Sequence, residues 1–130
     1  MVQTIIKKSK YDMGLFAGED IKHQRLVRDR AIVASFAGKR MTAKQWNKYY
    51  TKKGLPSDAG LHFYNYVIYD PTFTKDHTPR WYRLNHSFKP NVKFHKAGTK
   101  VLWKTLRNIK KGEELRFNYG DADPSWDTND

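Results

Sequence analysis

Cysteine is absent from the 130 residues, and that absence removes three kinds of chemistry together. No disulfide can form, no thiolate can attack and no cysteine-based zinc site can be built. The lack is compatible with a reducing compartment. Long hydrophobic runs are missing as well. The opening MVQTIIKKSK holds a two-residue Ile run ahead of its lysines, too short for the core of a signal peptide. No stretch approaches the ~20 apolar residues that span a bilayer, so no membrane partner is expected. The five histidines (His23, His62, His77, His86 and His95) form no i, i+4 helical pair and no zinc spacing, so no metal is expected. Internal repeats and low-complexity tracts are lacking too. Acidic residues are scarce, 13 against 25 lysines and arginines.

What is present describes a folded chain. It is 38% hydrophobic and 29% charged, and its length suits one domain over residues 1–130 with a single modest core. The net charge of +12 and pI near 9.9 suggest nucleic acid, an acidic protein or an anionic surface as a partner. The acids crowd the end of the chain. Glu113, Glu114, Asp121, Asp123, Asp127 and Asp130 share that segment with Arg116 as its one cation. Residues 121–130 read as a solvated acidic tail, or as an acidic rim beside a site that accepts a basic peptide.

Patterning points to a mainly β domain. Residues 2–6 and Ala31–Ala37 read as strands, the second bounded by Gly38. Thr42 with Gln45 three residues on forms a capping box, so a helix starts there. Trp46, Tyr49 and Tyr50 give it an aromatic core stripe, and Gly54 and Pro56 end it. Leu61–Tyr69 (LHFYNYVIY) reads as one strand. Val92–Phe94 and Val101–Trp103 flank Lys96-Ala97-Gly98 as a hairpin. Leu115, Phe117 and Tyr119 share the parity of a short final strand. Gly112 precedes Glu113 and Glu114, which face opposite ways on a strand and read as structural, with one salt bridge each.

Three ordered fragments remain: GLFAGEDI at 14–21, NHSFKPN at 85–91 and IKKGEELRFNYGD at 109–121. Each alone is explained by turns and packing. Together, in this order, they resemble the SET domain of protein-lysine methyltransferases, from about Lys8 to Asp121. The short chain is similar to the minimal SET cores of viral or bacterial members. The fold that the resemblance implies is the SET β-clip: small curved sheets, a knot-like crossing with late strands threaded beneath a loop, and one or two short helices.

The resemblance also implies roles. S-adenosylmethionine would be the methyl donor, held by the backbone of Met13, Gly14 and Leu15, the Asn85 side chain and the backbone of His86. Asp12 stands where the family often has a further Gly, Tyr82 where it often has Arg, and Phe88 where it often has Cys. Tyr119, in RFNYG, would be the catalytic tyrosine, orienting an in-line displacement by a neutral lysine amine. Phe117 lies where the family alternates between Phe and Tyr, and would set how many methyl groups are added. Tyr64 would line the lysine channel. Trp126 would fold back over the cofactor, in place of the cysteine-rich zinc segment that ends many relatives.

The function expected is protein-lysine N-methylation, on a histone tail and beyond one methyl group. The basic surface would contact nucleosomal DNA through phosphates. The location expected is intracellular, in a nucleus, that of a host if the source is viral or bacterial. The rival reading is a catalytically silent SET-like module that binds nucleic acid or a protein partner through its basic surface.

Overall fold

A computed structural model describes residues 2–10 and 12–121. Among the described residues ten strands form four small sheets. β1 (Thr4–Lys8) and β2 (Met13–Ala17) make an antiparallel hairpin with register Thr4↔Ala17 to Lys8↔Met13. β3 (Ile32–Ala37) pairs with β9 (Lys100–Thr105), which pairs with β8 (Val92–Ala97), all antiparallel. β4 (Lys39–Thr42) and β5 (Gly60–His62) flank β6 (Tyr66–Tyr69) in a third sheet. β7 (Asn85–His86) and β10 (Arg116–Phe117) form the last sheet, a parallel pair of two residues each. This is the mainly β architecture the sequence suggested, and the clip of small sheets that the resemblance implied.

One α-helix, α1 (Ala43–Lys53), starts where the capping box places it. Thr42 Oγ1 accepts from Gln45 N at 3.1 Å, and Gln45 Oε1 accepts from Thr42 N at 3.0 Å. Gly54 closes the helix at φ 69°, a left-handed position that a Cβ would strain. Trp46 is buried, donates Nε1–H to the Ser57 carbonyl, and gathers Tyr49, Tyr50 and Tyr69 around its ring. Among the described residues no helix is long and apolar enough to cross a membrane.

Two sequence expectations need correction. Leu61–Tyr69 is not one strand but β5 and β6, paired Leu61↔Ile68 around a turn at Phe63–Asn65. Phe63 N donates to Tyr66 O at 2.9 Å, and the two rings stack 5.0 Å apart. Aromatic composition favours strand but cannot say where it folds back; Asn65, a turn former, was the available cue. The final strand also stops at Phe117. Asn118 begins a 3₁₀ turn over Tyr119–Asp121, its side chain accepting from Gly120 N.

The core runs between the sheets. Trp81 and Trp103 stack at 5.7 Å and 9°, and Phe36 packs against both. Trp81 Nε1–H is satisfied by the buried Asp70 carboxylate at 2.8 Å. Phe117 meets Trp103 edge-on, so the core ends directly beneath the paired strands β7 and β10.

Candidate active site

Residues 85–91 hold the segment 114–117 from both ends. At the start, Asn85 and His86 pair in parallel with Arg116 and Phe117, and Ser87 N donates to Phe117 O at 3.0 Å. At the end, Asn91 is buried and fully used. Its Nδ2 donates to Glu114 O, its Oδ1 accepts from Arg116 N, and its backbone N donates to Arg116 O. A buried amide must find such partners. This bracket is the crossing that the polar knot NHSFKPN builds.

Asn85 sits inside a charged network. Its Nδ2 donates to Glu114 Oε2 at 2.8 Å and to the Met13 carbonyl at 3.3 Å. With both N–H donors committed, its carbonyl oxygen is what remains for a ligand. Such a group suits an ammonium, not a carboxylate. Glu114 also accepts from Ser9 Oγ at 2.7 Å and pairs with Arg116 at 2.6 Å. Burial alone would raise the Glu114 carboxyl. The bonds from Asn85, Ser9 and Arg116 outweigh it and hold the group below its ordinary value. Glu113 turns the other way, to Arg107 at 3.0 Å and Lys110 N at 2.6 Å. Each glutamate therefore has the salt bridge expected of it. The part Glu114 plays at Asn85, however, carried no sequence signal.

Gly14 has a reason other than the one inferred from sequence. A Cβ there would stand 2.5 Å from Glu114 Oε2, so the missing side chain admits that carboxylate. Leu15 is fully buried and its carbonyl accepts from Leu115 N at 2.7 Å. Of Met13, Gly14 and Leu15, whose backbone was expected to hold a cofactor, Met13 alone lines a cavity.

Several contacts fix Tyr119. Its backbone N donates to His86 Nδ1 at 3.0 Å, its hydroxyl donates to the Leu84 carbonyl at 2.7 Å, and its ring lies 4.8 Å from Phe117. The first gives the His86 imidazole a structural task. Burial pushes the Tyr119 hydroxyl up to about 12, and the Asp58 and Glu114 carboxylates add to it. The group stays protonated at neutral pH, with its proton given to Leu84.

Two cavities share Asp12, Asn85 and Tyr119 in their walls. One, about 370 Å³, has the polar residues Ser9, Lys10, His86 and Arg116 in its wall. The other, about 300 Å³, is walled by Met13, Leu61, Trp81, Leu84 and Phe117, with Asp58, His62, Tyr82 and Arg83. Tyr82 OH donates to Asp58 Oδ1 at 2.6 Å, and burial followed by that bond raises its pKa. Tyr64 is not in either wall. It is 92% exposed at the β5–β6 turn, because the fold-back of Leu61–Tyr69 carries it outward. Tyr82, from the 3₁₀ turn Arg80–Arg83, is the tyrosine on that cavity besides Tyr119. Its proximity to Asp58 links residues 24 apart, which no local pattern reveals. Trp126 lies outside the described residues.

A model of the SET domain family matches residues 12–120. The chain belongs to the SET-domain family. This SET domain is similar in fold to the Polycomb Repressive Complex 2 of Chaetomium thermophilum. A humanized mutant of that complex bound to the inhibitor GSK126 superposes with a TM-score of 0.66 at 20% identity, covering 95% of this chain and 16% of that one. The autoinhibited complex bound to S-adenosylmethionine gives 0.64 at 20% identity, with coverage of 95% and 16%. The SET domain thus spans about one sixth of the Polycomb chains it matches. A Plasmodium falciparum protein assigned as a histone methyltransferase gives 0.59 at 21% identity, covering 92% of this chain and 95% of that one. No curated protein matches the chain in sequence.

Proposed function

We propose that this SET domain is a protein-lysine N-methyltransferase with S-adenosylmethionine as donor and a histone tail as its class of substrate. The observation that carries the reading is the pair of cavities with Asn85 and Tyr119 in their common wall. A transfer between two bound molecules needs two chambers that meet at one point.

The chamber of Ser9, Lys10 and Arg116 fits the amino-acid end of the donor. Asn85 has a carbonyl oxygen left for an ammonium, and Lys10 brings a cation suited to a carboxylate. When bound, the donor supplies a methyl group activated by a sulfonium. The other chamber fits a lysine side chain. Leu61, Leu84 and Phe117 suit its methylenes, and the Asp12 and Asp58 carboxylates suit its charged end.

Free lysine has a pKa near ~10.4, so the amine must lose a proton before it can attack. The Asp12 and Asp58 carboxylates favour the ammonium, while the apolar walls of Leu61, Leu84 and Phe117 favour the neutral amine by desolvation, so the proton passes to solvent as the amine moves in among them. Because Tyr119 gives its proton to Leu84, its oxygen faces a ligand as an acceptor. It can hold an amine N–H and make weak contacts with an electron-poor methyl. Phe117 offers the amine no bond and leaves room for a methylated nitrogen to turn and react again. Products beyond one methyl group, formed in a nucleus, complete the proposal.

Incubation with labelled S-adenosylmethionine and histones, followed by mass spectrometry, tests it. Label on lysine is expected, reaching di- or trimethyl-lysine, with Phe117→Tyr stopping mostly at one methyl. Donor binding without transfer to any protein would favour the silent module instead. A wild-type reaction that stalls at one methyl group would remove Phe117 from its role.

A further inference from the structure

Basic residues that the site does not use include two sets: Lys39, Arg40, Lys44, Lys48, Lys52 and Lys53 along β4 and α1, and a second set around the sheet β3–β9–β8. Segments 22–37 and 92–105 carry Lys22, Arg25, Arg28, Arg30, Lys93, Lys96, Lys100 and Lys104 against one acid, Asp29. Three of them, Lys93, Lys100 and Lys104, share the outer face of the sheet β3–β9–β8, and the stretch 22–30 with its four leads into β3. Side chains alternate across a strand. On β9, Val101 and Trp103 point into the core while Lys100, Leu102 and Lys104 point out. On β8, Lys93 and His95 share that outer face. Lys93 lies directly opposite Lys104, and His95 opposite Leu102.

Like charges placed directly opposite on neighbouring strands destabilise a sheet. Here nothing on the sheet offsets them. The charges acting on His95 are Lys104, Lys93 and Arg30, all positive; burial comes first and these follow, lowering the imidazole's pKa from its ordinary value. Lys104 Nζ donates to the Val27 carbonyl at 3.3 Å, which ties the basic stretch 22–30 to the same edge. Asp29 is engaged by Arg28 at 3.8 Å. A set of cations gathered without counter-charge is a surface built for an external polyanion.

We propose that the outer face of β3–β9–β8 binds the phosphate backbone of duplex DNA. Lys100 and Lys104 are four residues apart on one strand, about 13 Å at ~3.3 Å per residue. That is close to the ~12 Å width of the DNA major groove, so the two ends reach phosphates on either side of it. Lys93 and Arg30 extend the Lys104 end. The small Ala37 and Ala97 beside Lys100 leave the face low enough for a duplex to approach. An RNA duplex, with its deep and narrow major groove, matches this span poorly. The face lies behind the site: Trp103 turns its ring toward Phe117 on the inner side of the same strand. DNA held there leaves both cavities open.

The proposal goes beyond methyl transfer and does not depend on it, because the readout is binding alone. Fluorescence anisotropy with a labelled ~20 bp duplex, without cofactor, should show binding at about 0.1 M salt, with log Kd changing by roughly 0.9 per phosphate contact for each decade of salt. Lys93→Glu with Lys100→Glu should weaken it at least ~10-fold and lower the salt slope by about 2. Lys93→Ala with Lys100→Ala is the milder pair, should weaken binding in the same direction, and serves if the charge reversal impairs folding. The control is Lys44→Glu with Lys48→Glu on the exposed face of α1, the same change of charge elsewhere. It should cost less than ~3-fold. Equal losses from the sheet and helix pairs, no binding by wild type at that salt, or tighter binding of an RNA duplex would each overturn the proposal.

Discussion

Helix α1 and the crossing at residues 85–91 are both held by side-chain amides, yet they are built in opposite ways. Around α1, Thr42 and Gln45 satisfy each other three residues apart, and Gly54 closes the last turn. At the crossing, Asn85 reaches Met13 across 72 positions and Glu114 across 29, while Ser9 reaches Glu114 across 105. The helix is a local agreement and makes a wall. The crossing is an agreement among three distant segments and makes a site. Damage to the first should therefore cost stability alone. Damage to the second should cost function, and stability in proportion to the charge left unpaired.

The sharpest contrast comes from Tyr119→Phe. Deleting a hydroxyl that acts on the transition state should cut turnover by ~100-fold or more, with donor affinity and fold nearly intact. Single-turnover rates beside calorimetric donor binding check this. Near-normal turnover would return Tyr119 to the class of buried tyrosines with satisfied hydroxyls.

Asn85→Ala should come next. A bond to a charged ligand is worth roughly 1.5–3 kcal/mol, about a 10- to 150-fold weaker donor complex. Unchanged affinity in a folded variant would reduce Asn85 to a strut for Glu114.

Glu114→Gln should act on both properties more mildly. Glu114 is nearly buried while Arg116 is 40% exposed, so solvent screens their pair and a loss of about 1–2 kcal/mol is expected. Its carboxyl is depressed in the folded state. The stability it lends is thus present above its ordinary value of 4.5 and lost as pH falls through the lower folded value. Melting temperatures between pH 3 and 7 should fall more steeply on the acid side in wild type than in Glu114→Gln. Parallel curves would show that the network adds nothing on ionisation.

The smallest effect belongs to the helix. Thr42→Ala should cost about 1 kcal/mol of stability and leave turnover per folded molecule unchanged. A clear loss of turnover at low temperature would break the distinction between wall and site.

The same contrast explains what the sequence disclosed. The capping box, Gly54 and the hairpin around Gly98 rest on neighbours, and they stand where the pattern put them. Asn85, His86 and Tyr119 were legible because three fragments appear in family order, and the fold brings them together. Tyr64 misled because an aromatic run shows strand preference but not the turn within it. Tyr82, Asp58 and Glu114 join the site through partners 24 to 105 residues away, and single-sequence reading has no term for such distances. Gly14 was chosen correctly as a place of close approach, but what approaches it is Glu114.

The hairpin β1–β2 is finished on its far side by a distant segment, residues 113–115: Ala17 N donates to Glu113 O, and Leu115 N to Leu15 O. This closure sets an order of events during synthesis. β1 and β2 leave the ribosome with one edge bare, and the helix and the middle sheets can settle while they wait. The site cannot, because Glu114, Phe117 and Tyr119 follow β2 by roughly a hundred residues. Pairing across nearly the whole length is slow, since the chain must search before any contact rewards it. The bare edge of β2 meanwhile invites pairing with another chain. A chain stopped short of residue 113 would keep most of its core and have no crossing at all.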